Sequence, residues 1–374
     1  MHVPVTNPKM AGHRLDGLDA LRGLAALSIV AFHTAFVPAL AIPAWLSVVI
    51  NYRLGHGVAL FFVLSAFSLY FADSARVKDG RSIAGFYVRR LARIVPLFYV
   101  MMVVVMQMRR EGFGETPSLA EVAANLTFVF NLVPAYAGSI VWAGWSIGVE
   151  MVFYLLLPLA FLWVKTLRAA LILLGGSACV TIWAERAMPR LDPLHPDYSL
   201  ICFCNNQVFF AVGIALYMLY LRLRERPEAQ RLRLSRVLFI AGCVLLWGAF
   251  AINDRLNPWR AVRTWDWYLS AIGFGLITLS QALHAFRFVT NRFTVRAGQV
   301  SYGVYLLHMP VILLIVNAYR IVYAHAGGHH ALAYGVCLLI TLALVLPLAL
   351  LAHHLIERPA MRLGKRVSQR LSGA

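Results

Sequence analysis

Charge is scarce in this sequence. Only 13% of its 374 residues are Asp, Glu, Lys or Arg, against 60% hydrophobic residues and a mean hydropathy of +0.71. A soluble domain carries roughly twice that share of charge, so a water-soluble module is excluded. Acidic side chains are the rarer sign, with 16 Asp and Glu against 34 Lys and Arg. The resulting net charge of +18 does not point to nucleic acid, because the basic residues sit between apolar runs. There they set topology and meet anionic lipid headgroups. Cysteine is also sparse. Cys179, Cys202, Cys204, Cys243 and Cys337 lie in or beside apolar runs, none at metal-ligand spacing with His, and read as small core residues. No cleavable leader precedes the first apolar run, which reads as a signal anchor. No linker, low-complexity tail or internal repeat is visible, which argues against a transporter built from duplicated halves. One membrane-embedded domain over residues 1–374 is expected, ending in a basic tail at 354–374.

What the chain does have is long apolar runs. They fall near 18–38, 56–72, 87–108, 119–136, 145–164, 169–184, 200–221, 237–253, 266–285, 298–319 and 331–353. Several approach the ~20 residues that a helix needs to cross a bilayer. The basic connectors 73–93 and 222–236 and the tail 354–374 belong on the cytoplasmic side under the positive-inside rule. They reach one side together only if 119–136 does not cross. That segment holds Glu121, Asn125, Asn131 and Pro134, which suits a re-entrant or interfacial stretch. The expected fold is an all-α integral membrane protein. It has about ten transmembrane helices, one re-entrant or interfacial segment (119–136), and both termini in the cytoplasm.

Ionisable residues inside such runs are costly and need partners or a task. Arg22 and His33 stand eleven residues apart, about three helical turns, so they share one face about 16 Å apart along the axis. Either the face is functional, or Arg22 snorkels and His33 is satisfied by a neighbouring helix. In FYVRRLARIVP, Arg90 and Arg93 share a face that suits a phosphate, and equally suits a lipid headgroup. GVALFFVLSAF places Ser65 where it can bond across helices. In WSIGVEMVFY, Glu150 lies at a depth similar to that of His33, so a carboxylate–imidazole couple is geometrically open. Ser301, Tyr305 and His308 form a polar stripe in SYGVYLLHMP, whereas Glu357 in HHLIERP reads as a structural cap. The HAGGHH loop lacks a carboxylate and fixed spacing, and no metal is expected. Arg186, Arg190, Arg255, Arg260 and Arg263, with Trp259, Trp265 and Trp267, suit a sugar or anionic glycan. Interfacial tryptophans are also common to membrane proteins at large.

LDALRGLAAL followed by His33, then GVALFFVLSAF, FYVRRLARIVP, WSIGVEMVFY, SYGVYLLHMP and ERP occur in one order. Together, from about residue 14 to 360, they resemble the acyltransferase 3 family of integral membrane acyltransferases. The resemblance implies a ten-helix protein of the bacterial cytoplasmic (inner) membrane. It would use cytoplasmic acyl-CoA, usually acetyl-CoA, to O-acylate an extracytoplasmic or lipid-linked glycan such as an O-antigen or exopolysaccharide. By matching motifs, Arg22, Arg90 and Arg93 take the donor phosphates. His33 is general base or covalent acyl carrier, and Glu150 orients it. Ser65, Ser301, Tyr305 and His308 are candidates for substrate or oxyanion contacts. Relatives commonly read SGF where this chain has Ser65-Ala66-Phe67, which bears on the role of Ser65. No fused esterase-like domain is expected, so the membrane domain would handle the acceptor itself. Rival readings are acylation of a small acceptor such as an antibiotic, and a proton-coupled transporter or flippase of a glycan precursor.

Overall fold

The computed structural model describes residues 15–77, 79–195, 197–256 and 263–372, excluding the side chains of 51, 52, 250–256, 263–267 and 372. The expected cluster of Arg255, Trp259, Arg260, Arg263, Trp265 and Trp267 therefore lies outside the described side chains. The described chain is helical, with no strand. In chain order the helices are α1 (Asp16–Phe36), α2 (Ala44–Tyr52), α3 (Gly57–Asp73), α4 (Gly80–Phe113), α5 (Leu119–Leu126), α6 (Trp145–Trp163), α7 (Leu167–Leu191) and α8 (Tyr198–Ile201). Then follow α9 (Phe203–Leu223), α10 (Glu228–Leu256), α11 (Arg263–Leu283), α12 (Arg292–Gln299), α13 (Ser301–Leu314), α14 (Val316–Ala324), α15 (His330–Ala352) and α16 (Arg358–Ser372). In hydrocarbon, backbone N–H and C=O groups find no water, and a helix satisfies them within the segment.

Eight of the described helices are long and apolar enough to cross a membrane, and the bent pair α12–α13 makes a ninth if counted as one span. Length and composition alone thus stop short of the expected ten. Within α11, Tyr268–Leu283 is a shorter apolar helix. The helices α1, α3 and α9 form the centre of the bundle. In the most apolar stretch of α1, 67% of the residues are buried, against 17% for α10 at the rim.

Residues 119–136 hold only the eight-residue α5, about 12 Å long, and two 3₁₀ turns at Phe130–Leu132 and Pro134–Tyr136. Two buried asparagines make this irregular backbone tolerable. Asn125 Oδ1 accepts from Ser139 Oγ (2.7 Å) and the Ile140 N–H (3.0 Å). Asn131 Oδ1 accepts from the Phe203 N–H (3.0 Å), and its Nδ2 donates to the Ile201 carbonyl (2.9 Å). Buried backbone groups off the helical ladder need such partners.

The expected continuous helix over 298–319 is instead three pieces, broken at Val300 and Ile315, with a 76° bend between α12 and α13. The bend has a packing cause. A side chain at Gly298 would bring its Cβ to 1.8 Å from the Asp19 carbonyl oxygen, and one at Gly23 to 2.2 Å from that of Thr294. The two glycines let α12 lie directly on α1, turned away from the line of α13. The short α2, which the apolar runs do not announce, packs against α1.

At the end where α1 begins, α4 opens on a reciprocal cap. Asp79 accepts from the Ser82 N–H (2.8 Å), and Ser82 Oγ accepts from the Asp79 N–H (3.0 Å). The Ser82 N–H holds the Asp79 carboxyl below its usual range. The last helix, α16, runs back along α4 with Gly364 set against Ala92. One turn of π-helix, His353–Glu357, joins it to α15.

Candidate active site

A cavity of about 770 Å³ opens among α1, α3, α4, α6, the α12–α13 bend and the α15–α16 junction. Arg22, Ser65, Arg90, Arg93, Glu150, Ser301 and Tyr305 line it, whereas His33 and His308 do not. Motifs far apart in sequence thus converge on one chamber.

One end of the chamber is basic. On α1, the Arg22 guanidinium donates to Asp19 Oδ1 (3.0 Å) and to Ser68 Oγ (2.7 Å). On α4, Arg90 pairs with Asp73 Oδ2 (3.7 Å), and Arg89 donates to Asp73 Oδ1 (2.8 Å) and to Ser368 Oγ on α16. Asp73 is buried at the last position of α3 and holds both arginines. Arg93 contacts Met361 Sδ at 3.9 Å and has no ion pair among the described residues. Arg296 and Arg358 complete the rim.

Glu150 occupies the middle. Its Oε1 accepts from Ser65 Oγ and from the Tyr154 hydroxyl, each at 2.6 Å. The carboxylate–imidazole couple left open by depth alone is not formed. Glu150 belongs to the chamber, and His33 pairs elsewhere. The serine of the Ser65-Ala66-Phe67 segment keeps its partner. The extra methyl of Ala66 faces Gly213 on α9, where a Cβ would come within 2.8 Å of it. Glycine on the neighbouring helix makes room for that methyl.

At the far end, the Tyr305 hydroxyl donates to the Ala143 carbonyl (2.7 Å). A phenol has one proton, so the 2.6 Å contact with Ser146 Oγ is a bond that Ser146 donates. Phe61 stands edge-on to the Tyr305 ring. Beyond this layer lie the two histidines. His308 is fully buried, and its Nδ1 is 2.6 Å from the Tyr305 carbonyl. A carbonyl only accepts, so Nδ1 carries the proton of neutral His308, and Nε2 is left as an acceptor. His33 Nδ1 sits 3.0 Å from that Nε2 and must be the donor. In the neutral pair, His33 Nε2 is then the unprotonated nitrogen, the atom a general base uses.

Ser301 opens α13 at the bend and is buried in the chamber wall. The motifs do not single out Asp73, Tyr154, Ser68, Ser146, Arg296 or Arg358. Tyr154 had a signal, four residues after Glu150 and so on its helix face. Asp73 had one too, an acid closing an apolar run. The others are joined to the site only by tertiary packing. Among the described residues there is no group of three or more metal-ligating side chains.

The family model described as an acyltransferase domain, that of acyltransferase 3, matches residues 15–352. The chain belongs to this family. It is 27% identical over 331 residues to the peptidoglycan O-acetyltransferase OatA of Listeria monocytogenes, covering 80% of this chain and 50% of that protein. To YrhL of Bacillus subtilis, provisionally named a peptidoglycan O-acetyltransferase, it is 25% identical over 401 residues, covering 96% and 57%. It is also 25% identical over 294 residues to ORF330 of Acidianus two-tailed virus, provisionally named an acetyltransferase, covering 77% and 81%. The chain spans about half the length of the two bacterial relatives. No solved structure matches it.

Proposed function

Proceeding from that membership, we propose that the chain is a membrane O-acetyltransferase. It takes an acetyl group from cytoplasmic acetyl-CoA and places it on a hydroxyl of an extracytoplasmic glycan. The observation that carries this reading is one chamber with arginines at one end and, past its other end, a histidine with a free basic nitrogen. The basic connectors support a cytoplasmic placement of the arginine end and of both termini in the inner membrane. Ten spans result when α11 and the α12–α13 pair are counted with the eight long helices. The names of the bacterial relatives favour peptidoglycan as acceptor over O-antigen or exopolysaccharide.

Arg90 and Arg93, with Arg22 alongside, hold the donor's phosphates by charge-assisted hydrogen bonds. The thioester arm extends along the chamber past Glu150, whose carboxylate is fixed by Ser65 and Tyr154. The acceptor arrives from outside, and its hydroxyl gives its proton to His33 Nε2. The oxygen then bonds to the acyl carbon, the carbon–sulfur bond breaks, and the proton passes to the departing thiolate. His308 holds the His33 tautomer throughout. Orientation of His33 passes from Glu150 to His308 in this scheme, and Glu150 acts on the donor side.

The test uses purified protein in nanodiscs, wild type against His33→Ala, with CoA release and acetyl-CoA binding as readouts. A positioned base contributes ~10²–10⁴-fold in rate, so release falls by about that factor while binding persists. Equal release from both proteins would remove His33 from the chemical step. Folded protein that neither binds nor consumes acetyl-CoA would point to a transporter.

A further inference from the structure

We propose that Arg296 and Arg358 form a second phosphate station at the chamber mouth, one that reads the 3′-phosphate of the acyl donor. The inference rests on the donor reading above and adds a site to it.

Three observations converge. The first is charge balance. Of the guanidinium groups lining the chamber, Arg22 is paired with Asp19 and Arg90 with Asp73. Arg93, Arg296 and Arg358 have no ion pair among the described residues. A diphosphate needs about two positive charges, and Arg93 with the shared Arg90 supplies them. A terminal phosphomonoester adds a charge of about −1.5 to −2, which two more guanidiniums match. The second is order along the chamber. Arg90 and Arg93 are partly buried, whereas Arg296 and Arg358 are exposed at the rim. In coenzyme A the thioester arm leads, the diphosphate follows, and the ribose 3′-phosphate trails. An arm inserted first brings the diphosphate to the inner pair and leaves the phosphomonoester at the rim.

The third is how the two arginines reach the rim. Arg296 rides on α12, held on α1 by the Gly23 and Gly298 contacts. Arg358 follows the π-turn, whose extra residue rotates all that comes after it relative to an unbroken helix. Such turns recur at functional sites. The π-turn is fixed from within the protein. Glu357 is buried, its Oε2 is 3.0 Å from His353 Nδ1, and His353 and His354 also line the chamber. Glu357 Oε1 is buried beside Gly303 without a hydrogen-bond partner among the described residues. A carboxylate spent on holding a turn implies that where Arg358 points matters. Lipid headgroups are the competing source of phosphate. That both arginines line the same chamber as Arg90 and Arg93 favours the donor.

The experiment measures the affinity of nanodisc-embedded protein for acetyl-CoA and for acetyl-3′-dephospho-CoA, in wild type and in Arg93→Gln, Arg296→Gln and Arg358→Gln. Wild type is expected to prefer acetyl-CoA by about tenfold or more. Arg296→Gln and Arg358→Gln should lose that preference by binding acetyl-CoA more weakly while binding the dephospho donor as wild type does. Arg93→Gln should weaken both donors alike. Thermal unfolding of each variant, with Arg296→Lys and Arg358→Lys as charge-retaining controls that keep part of the preference, separates binding from folding. Equal weakening of both donors by the rim variants, or no weakening of either, assigns these arginines to general steering or to headgroups and overturns the proposal. So does a wild type that binds both donors equally. Wild type that binds neither donor overturns the donor reading itself.

Discussion

One backbone carbonyl sets the protonation pattern of two side chains. The Tyr305 carbonyl accepts a hydrogen bond from His308 Nδ1–H, His308 Nε2 accepts one from His33 Nδ1–H, and His33 Nε2 is left unprotonated. Removing the acceptor in His308→Leu should therefore lower kcat more than tenfold, above about 1.4 kcal/mol of barrier, with the donor KM unmoved. His308→Gln should recover much of the loss, because its amide oxygen accepts from the same N–H. Steady-state kinetics on the two variants checks this, and a loss equal in both would assign His308 to packing alone. Asp73→Asn probes the basic end. With Asp73 pairing both Arg89 and Arg90, its loss leaves two partly buried cations without a counter-charge, and thermal unfolding should show about 1–3 kcal/mol of destabilisation. At this scale the motifs were legible because ionisable groups in apolar runs stand out. Their pairing was not. Sequence spacing gives the depth of Glu150 and His33 but not the direction each faces across the bundle, so equal depth suggested a bond that the structure lacks. Glu150 instead meets Ser65 and Tyr154, and His33 meets His308.

Helices here are placed by what their small residues allow. Where α12 lies on α1, Gly298 approaches the Asp19 carbonyl, and Asp19 holds Arg22, so packing and site share a contact. Gly298→Ala should push the two helices apart, costing about 1–3 kcal/mol, the usual range for overpacking. Differential scanning of nanodisc samples should show the lower transition, and donor affinity should fall with it, because Arg22 and Arg296 move with those helices. A transition temperature equal to wild type would mean that the bundle absorbs the methyl. The long apolar runs revealed most helices, and the asparagines and proline in 119–136 marked the segment that does not form a long helix. The breaks at Val300 and Ile315 left no mark. Neither residue is Gly or Pro, and the cause of the first break lies in how Gly298 meets the distant surface of α1. The nine residues of α2 escaped for a related reason, too few to raise a long apolar run.

The whole molecule is a strongly basic body, and five arginines line its chamber, three of them without an ion pair among the described residues. Anionic donors should be drawn there by long-range attraction, which salt screens over about 10 Å at 0.1 M. The donor KM is therefore expected to rise several-fold between about 0.05 and 0.5 M salt, with kcat changing little. Reporter fusions at the two ends test the proposed topology, and both should report from the cytoplasm. Composition made the membrane class plain, while the chamber was invisible to it, since a cavity belongs to no single run. The layer at the chamber's end has a further consequence. The chamber lining includes Tyr305, Ser146 and Phe61 but neither histidine, so on the proposed reading the acyl group has to pass this layer to meet the acceptor at His33. Across a membrane at 100 mV, each elementary charge that leaked through would dissipate about 2.3 kcal/mol. If the proposed transfer holds, the tyrosine tied to a serine and a carbonyl stands where an acyl group must pass and ions must not.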